Sequence, residues 1–122
     1  MRVLGYERVV QKVWGMEAWI VNNGTYCGKM MYVVPGKRCS LHHHAKKHET
    51  FHVLDGTMLV EWTGVGGDEG VLVGPGEHVV IPPGQDHRFS AVGEFPVRFL
   101  EISTFHDEND VIRVEPSGDI EA

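Results

Sequence analysis

Three histidines and a glutamate are spaced as a metal ligand set: His42, His44, Glu49 and His87. Side chains two apart on a strand point to one face, so His42 and His44 form a two-nitrogen claw while His43 faces the other way. Two imidazoles turned into one interior leave polar nitrogens unsatisfied unless something binds them. Glu49 opens the next strand after a four-residue loop and can add a carboxylate, and His87 comes from a distant strand. Such a set, with open positions, suits one divalent metal ion: Mn, Fe, Co, Ni or Zn. His48, His52 and His78 read as surface or core-satisfied side chains.

The elements that must position these residues are short strands. A chain of 122 residues supplies one domain with one core. Its 15 glycines and 6 prolines punctuate stretches rich in Val, Ile, Phe, Tyr and Trp, an all-β composition. Residues 18–22 and 25–34 predict a hairpin about Asn23-Gly24, a dipeptide that favours a type I′ turn. Further strands are predicted at 39–44, 49–54 and 57–63, and, after a glycine-rich loop at 64–70, at 71–73, 78–81, 86–91 and 96–105. Regular short strands with frequent turns mean a sandwich or closed barrel. The core is expected to span about 13–116, with an acidic tail at 107–122 that folds back in part and frays at its end.

A net charge of −6 argues against nucleic acid and anionic lipid as partners, and the one basic pair between the histidine clusters, Lys46-Lys47, is too short for a phosphate-binding patch. The first ten residues lack the apolar stretch of a signal peptide, and no run approaches a membrane span. The expectation is therefore a cytoplasmic protein. Cys27 and Cys39 are then reduced thiols packed on strands.

Gly36, His42, His44, Glu49 and Gly56 resemble the first motif of the cupin superfamily, and Gly76, Pro82, Gly84 and His87 resemble the second, in order and spacing. The resemblance implies a small antiparallel barrel, a jelly roll, holding a metal through His42, His44, Glu49 and His87. The second motif often ends in Asn where this chain has Ala91, which is not a ligand position. Val13-Trp14-Gly15, Tyr26-Cys27-Gly28-Lys29 and the segment from Glu101 to Arg113 are similar to cupin-type sugar isomerases: the C-terminal domain of bifunctional mannose-6-phosphate isomerases, and D-lyxose isomerases. That likeness implies a metal-dependent aldose–ketose isomerase, with Mn the leading metal, Lys29 and Glu101 as alternative bases in the lumen, and Arg113 holding a substrate hydroxyl or phosphate.

Alternation along the strands bears on these roles. Lys29 shares a face with Cys27, Met31 and Val33, and Glu101 with Phe99 and Val97, so both are expected inside. Asp107 to Asp110 read as a solvated acidic turn, and Trp14 as a plug on the barrel end. The fold settles no activity, so two other readings stand: an Fe(II)-dependent dioxygenase and a non-catalytic sugar-binding cupin. The expected partners are a sugar or sugar phosphate and a second copy of the chain, a homodimer in which Leu41 and the N-terminal hairpin cover the second subunit's sheet edge.

Overall fold

A computed structural model describes residues 1–120; Glu121 and Ala122, where fraying of the tail is expected, lie outside the described residues. Thirteen strands follow in order: β1(Arg8–Lys12), β2(Gly15–Asn22), β3(Cys27–Val33), β4(Lys37–Arg38), β5(Leu41–His43), β6(Glu49–Asp55), β7(Met58–Gly64), β8(Gly67–Val73), β9(His78–Ile81), β10(His87–Ala91), β11(Val97–Ser103), β12(Ile112–Glu115) and β13(Gly118–Asp119). Among the described residues the sole helical element is a 3₁₀ turn, Glu108–Asp110. No helix is long and apolar enough to cross a membrane.

Two antiparallel sheets form the all-β barrel expected from the sequence. One runs β1-β2-β3-β11-β6-β9. In the other, β10 is the hub: β7 and then β8 lie along one edge, while β4 and β5 follow one another along the opposite edge, backed by β13 and β12. Alternation is strict where both sheets face the core. In β3 the inward row is Cys27, Lys29, Met31 and Val33, and in β11 it is Val97, Phe99, Glu101 and Ser103. Phe51, Phe89 and Phe99 meet in the middle, with ring centroids 4.9 to 5.9 Å apart, and Trp14 stacks edge-on against Phe89 at 4.9 Å. Trp14 is buried at 4 % exposure, which fits the plug reading.

Several elements differ from expectation. The β2–β3 connection is not a type I′ turn: Gly24 has no positive φ, and Asn23 Oδ1 instead accepts the N–H groups of Thr25 and Tyr26 at 2.8 and 3.0 Å. This Asx turn needs no left-handed residue. The stretch at 39–44 is split by Cys39-Ser40, so Cys39 packs beside the strands, its Sγ accepting the Phe89 N–H at 3.2 Å. Both cysteines are free and buried. Most of the glycine-rich 64–70 segment is not a loop but the turn and first half of β8, paired residue by residue to β7. β1, β4, β12 and β13 are further strands beyond those expected from the sequence.

Gly36 and Gly56 both adopt left-handed φ, 81° and 80°. A Cβ at Gly36 meets nothing within 4 Å, whereas one at Gly56 would lie 2.3 Å from the Pro96 carbonyl oxygen. Gly36→Ala is expected to cost ~1 kcal/mol of backbone strain, and Gly56→Ala ~3 kcal/mol because a clash adds to it. Urea denaturation of the two variants would show this order.

Candidate metal centre

His42 and His87 are direct cross-strand partners on β5 and β10, which places their rings on one face, with centroids 4.6 Å apart. His44 follows just after β5, where the chain leaves one sheet for the other, and Glu49 opens β6 on the far side. The loop between them is held at both ends: the Gly84 N–H donates to the His44 carbonyl at 2.7 Å, and the Thr104 N–H to that of His48 at 3.0 Å. The four residues read from spacing therefore converge from both sheets.

Each imidazole is oriented by a carbonyl. His42 Nδ1 lies 2.8 Å from the Ser40 oxygen, His44 Nδ1 2.9 Å from that of Asp110, and His87 Nδ1 2.8 Å from that of Gln85. A carbonyl only accepts, so each Nδ1 carries the hydrogen and each Nε2 presents a lone pair. Ligand atoms of the three rings lie within 4.8 Å of one another. Glu49 Oε2 sits 3.1 Å from His87 Nε2 and 3.5 Å from His44 Nε2. His87 Nε2 and Glu49 Oε2 are buried without a hydrogen-bond partner. Orphaned acceptors facing one point are what a cation would satisfy. Burial, with His87 second, holds the His42 ring down at about 3, and burial also lowers His44, so these rings are neutral, as ligation requires.

His42, His44 and Glu49 line a polar cavity of about 90 Å³, open at one side, which holds several waters or part of a small polar molecule. Lys29, Glu101 and Arg113 also line it. Lys29 is 1 % exposed, 3.5 Å from Glu17 Oε1, with its ammonium 4.2 Å above the Trp19 ring. Arg113 lies opposite His42 on β12, exposed at the mouth. His43 points away and pairs with Asp86 at 2.7 Å.

Two contributors are not marked in the sequence. Lys47, half of the basic pair between the histidine clusters, is 2 % exposed; its ammonium lies 2.6 Å from Glu101 Oε2 and 2.9 Å from His106 Nδ1. Burial opposes that charge, but Glu101 and Glu49 outweigh it and raise Lys47. Burial likewise opposes the Glu101 carboxylate, and Lys47 and Lys29 more than offset it, holding Glu101 at about 2. Asp110, read as part of a solvated turn, hydrogen-bonds the N–H groups of Ala45, Lys46 and Lys47 while its carbonyl orients His44. No periodicity marks a loop lysine or a 3₁₀ aspartate.

Because Asp110 braces the ligand loop, Asp110→Ala is expected to lower affinity for Mn(II) or Zn(II) roughly ten- to hundredfold with the fold retained, whereas His43→Ala leaves affinity unchanged; isothermal titration calorimetry checks both. Burial, followed by Lys47 and Lys29, lowers the His106 ring to about 3. Its folded value is below its unfolded one, so the unfolded chain binds the extra proton first. The stability His106 contributes is complete above about pH 6.5 and is lost as pH falls toward 3. His106→Asn, which keeps an acceptor for Lys47, should flatten that part of the pH–stability curve, and an NMR titration should show the ring neutral down to about pH 4.

Comparison with known proteins gives the same fold. A family model described as a cupin domain matches residues 29–103. Xanthan biosynthesis protein XanB of Xanthomonas campestris is 30% identical over 90% of this chain and 23% of its own length. Mannose-1-phosphate guanylyltransferase ManC of Salmonella typhimurium is 32% identical over 88% of the chain and 22% of its own. The chain thus spans less than a quarter of the length of these relatives. Among solved structures, capsular polysaccharide assembling protein CapF of Staphylococcus aureus superposes with a TM-score of 0.75 at 22% identity, covering 88% of this chain and 31% of that one. Oxalate decarboxylase of Bacillus subtilis does so at 0.77 and 22%, covering 88% and 30%. With a matching domain model over most of the chain, a two-sheet antiparallel barrel and converging histidines, this protein belongs to the cupin family.

Proposed function

We propose that this cupin is a metal-dependent aldose–ketose isomerase acting on a sugar or sugar phosphate through an enediol. The observation that carries this reading is the cavity, where His42, His44 and Glu49 share one small space with buried Lys29 and Glu101, while a nitrogen of His87 lies within 4.8 Å of those of the other two imidazoles. A divalent metal on His42, His44, His87 and Glu49 would supply a Lewis acid for the carbonyl and its neighbouring hydroxyl. Aldose–ketose exchange then needs a group to move one proton between adjacent carbons and another to steady negative charge on oxygen.

Glu101 suits the first task. Its partners Lys47, Ser103 and Cys27 all meet Oε2, leaving Oε1 to take the proton from the carbon beside the carbonyl and return it to the neighbouring carbon. Held as a carboxylate, it is always in the accepting form, and its low basicity puts the burden on polarisation of the carbonyl. The Lys29 ammonium suits the second task, as a donor to the oxygen that gains charge. Arg113, which makes no side-chain hydrogen bond or ion pair among the described residues, is free to hold a hydroxyl or phosphate at the mouth. The relatives' names, a mannose-1-phosphate guanylyltransferase and a xanthan biosynthesis protein, support a sugar as the substrate class.

In deuterated water, Mn(II)-loaded protein is expected to convert one member of a panel of aldoses, ketoses and their phosphates, with deuterium appearing beside the carbonyl by NMR. Glu101→Gln and Lys29→Ala should each lower turnover by roughly 10²- to 10⁴-fold with metal still bound. No exchange across the panel would overturn the isomerase; oxygen uptake with Fe(II) would then indicate a dioxygenase, and sugar-induced shifts without exchange a binding cupin.

A further inference from the structure

The Lys47 ammonium has three hydrogens to place. Two go to Glu101 Oε2 at 2.6 Å and His106 Nδ1 at 2.9 Å, and the remaining one faces Glu49 Oε1 at 3.5 Å. The side chain is 1 % exposed, so these three acceptors, rather than bulk solvent, balance its charge. On Glu49 the two oxygens have therefore been given different work. Oε1 answers the ammonium, while Oε2 turns toward His87 and His44 and has no hydrogen-bond partner. Turning both oxygens to one cation would strip a buried ammonium of part of its countercharge, which is costly where water is excluded.

We propose that Lys47 is a positioning residue that holds Glu49 as a one-oxygen ligand, keeping two adjacent coordination positions open for oxygens from outside the protein. With three imidazole nitrogens and one carboxylate oxygen in place, an octahedral ion retains about two such positions. A carbonyl with its neighbouring hydroxyl, or a vicinal diol, fills that pair. A bidentate Glu49 would leave room for one oxygen alone. The inference rests on reading the site as a metal centre, and it does not depend on the isomerase chemistry.

The test counts waters on Mn(II) bound to the full chain, by electron–nuclear double resonance in isotopically labelled water, without any sugar. About two waters are expected on the unaltered protein and on Glu101→Gln, in which Lys47 still meets Glu49. About one is expected on the double variant Lys47→Met, Glu101→Gln, which removes the cation together with its main partner so that neither charge is stranded. One water on the unaltered protein, or two on the double variant, would overturn the proposal. Loss of a water in Glu101→Gln alone would also overturn it, because the effect would then follow Glu101. If the double variant does not fold, Lys47→Gln, which removes the charge and keeps a hydrogen-bond donor, decides on the same count: about one water is expected, and two would overturn the proposal. Failure of the unaltered protein to bind Mn(II) at all would remove the metal centre itself, an outcome distinct from a wrong water count.

Discussion

The 2.6 Å contact between the Lys47 ammonium and the Glu101 carboxylate is the interaction on which the barrel interior depends. Charges withdrawn from water cost several kcal/mol each unless opposite charges and hydrogen bonds replace the lost hydration. Here Lys47 lies between Glu49 and Glu101, and Lys29 between Glu17 and the Trp19 face. Three carboxylates and two ammonium groups are thereby held within one small barrel. Each charge in the cluster is balanced by at least one other member. The cluster also explains why the cavity is polar although the strands around it are apolar.

The aromatic core next to the cavity supplies rigidity. It comes from Phe51, Phe89, Phe99 and Trp14, which pack together by edge-on and tilted contacts, three of them also lining the cavity, and whose burial supplies much of the apolar stabilisation of a small domain. Phe51 also approaches the His87 ring, at 6.2 Å, so the packed core reaches the ligand set directly. The same strands carry both layers. In β11, Phe99 packs the core and Glu101, two residues on, enters the cavity. Alternation thus couples the position of a charged group to the packing of its neighbour.

Two long-range features then set the ligand rings. Carbonyls of Ser40, Asp110 and Gln85 choose the tautomers, and the Asp110 carboxylate ties the turn between His44 and Glu49. The C-terminal segment is therefore part of the site's construction. β12 lies along β5 and brings Arg113 opposite His42 at the mouth. Ligand orientation and substrate access are built by one return of the chain.

The sequence alone determined the barrel, the inward faces of β3 and β11, and the convergence of His42, His44, Glu49 and His87, because strand alternation is local and a ligand motif records its own spacing. It did not reveal that 64–70 pairs as a hairpin, since glycine is a poor strand former and only the β7 ladder holds it extended. It did not mark the buried pairing of Lys47 or the bracing role of Asp110 for a related reason. Both lie outside strands, where no period tells inside from outside. Their partners Glu101, His106, Ala45 and Lys46 are mostly dozens of residues away. Which charge meets which inside the barrel is decided by chain return and desolvation, and only the tertiary structure holds that information.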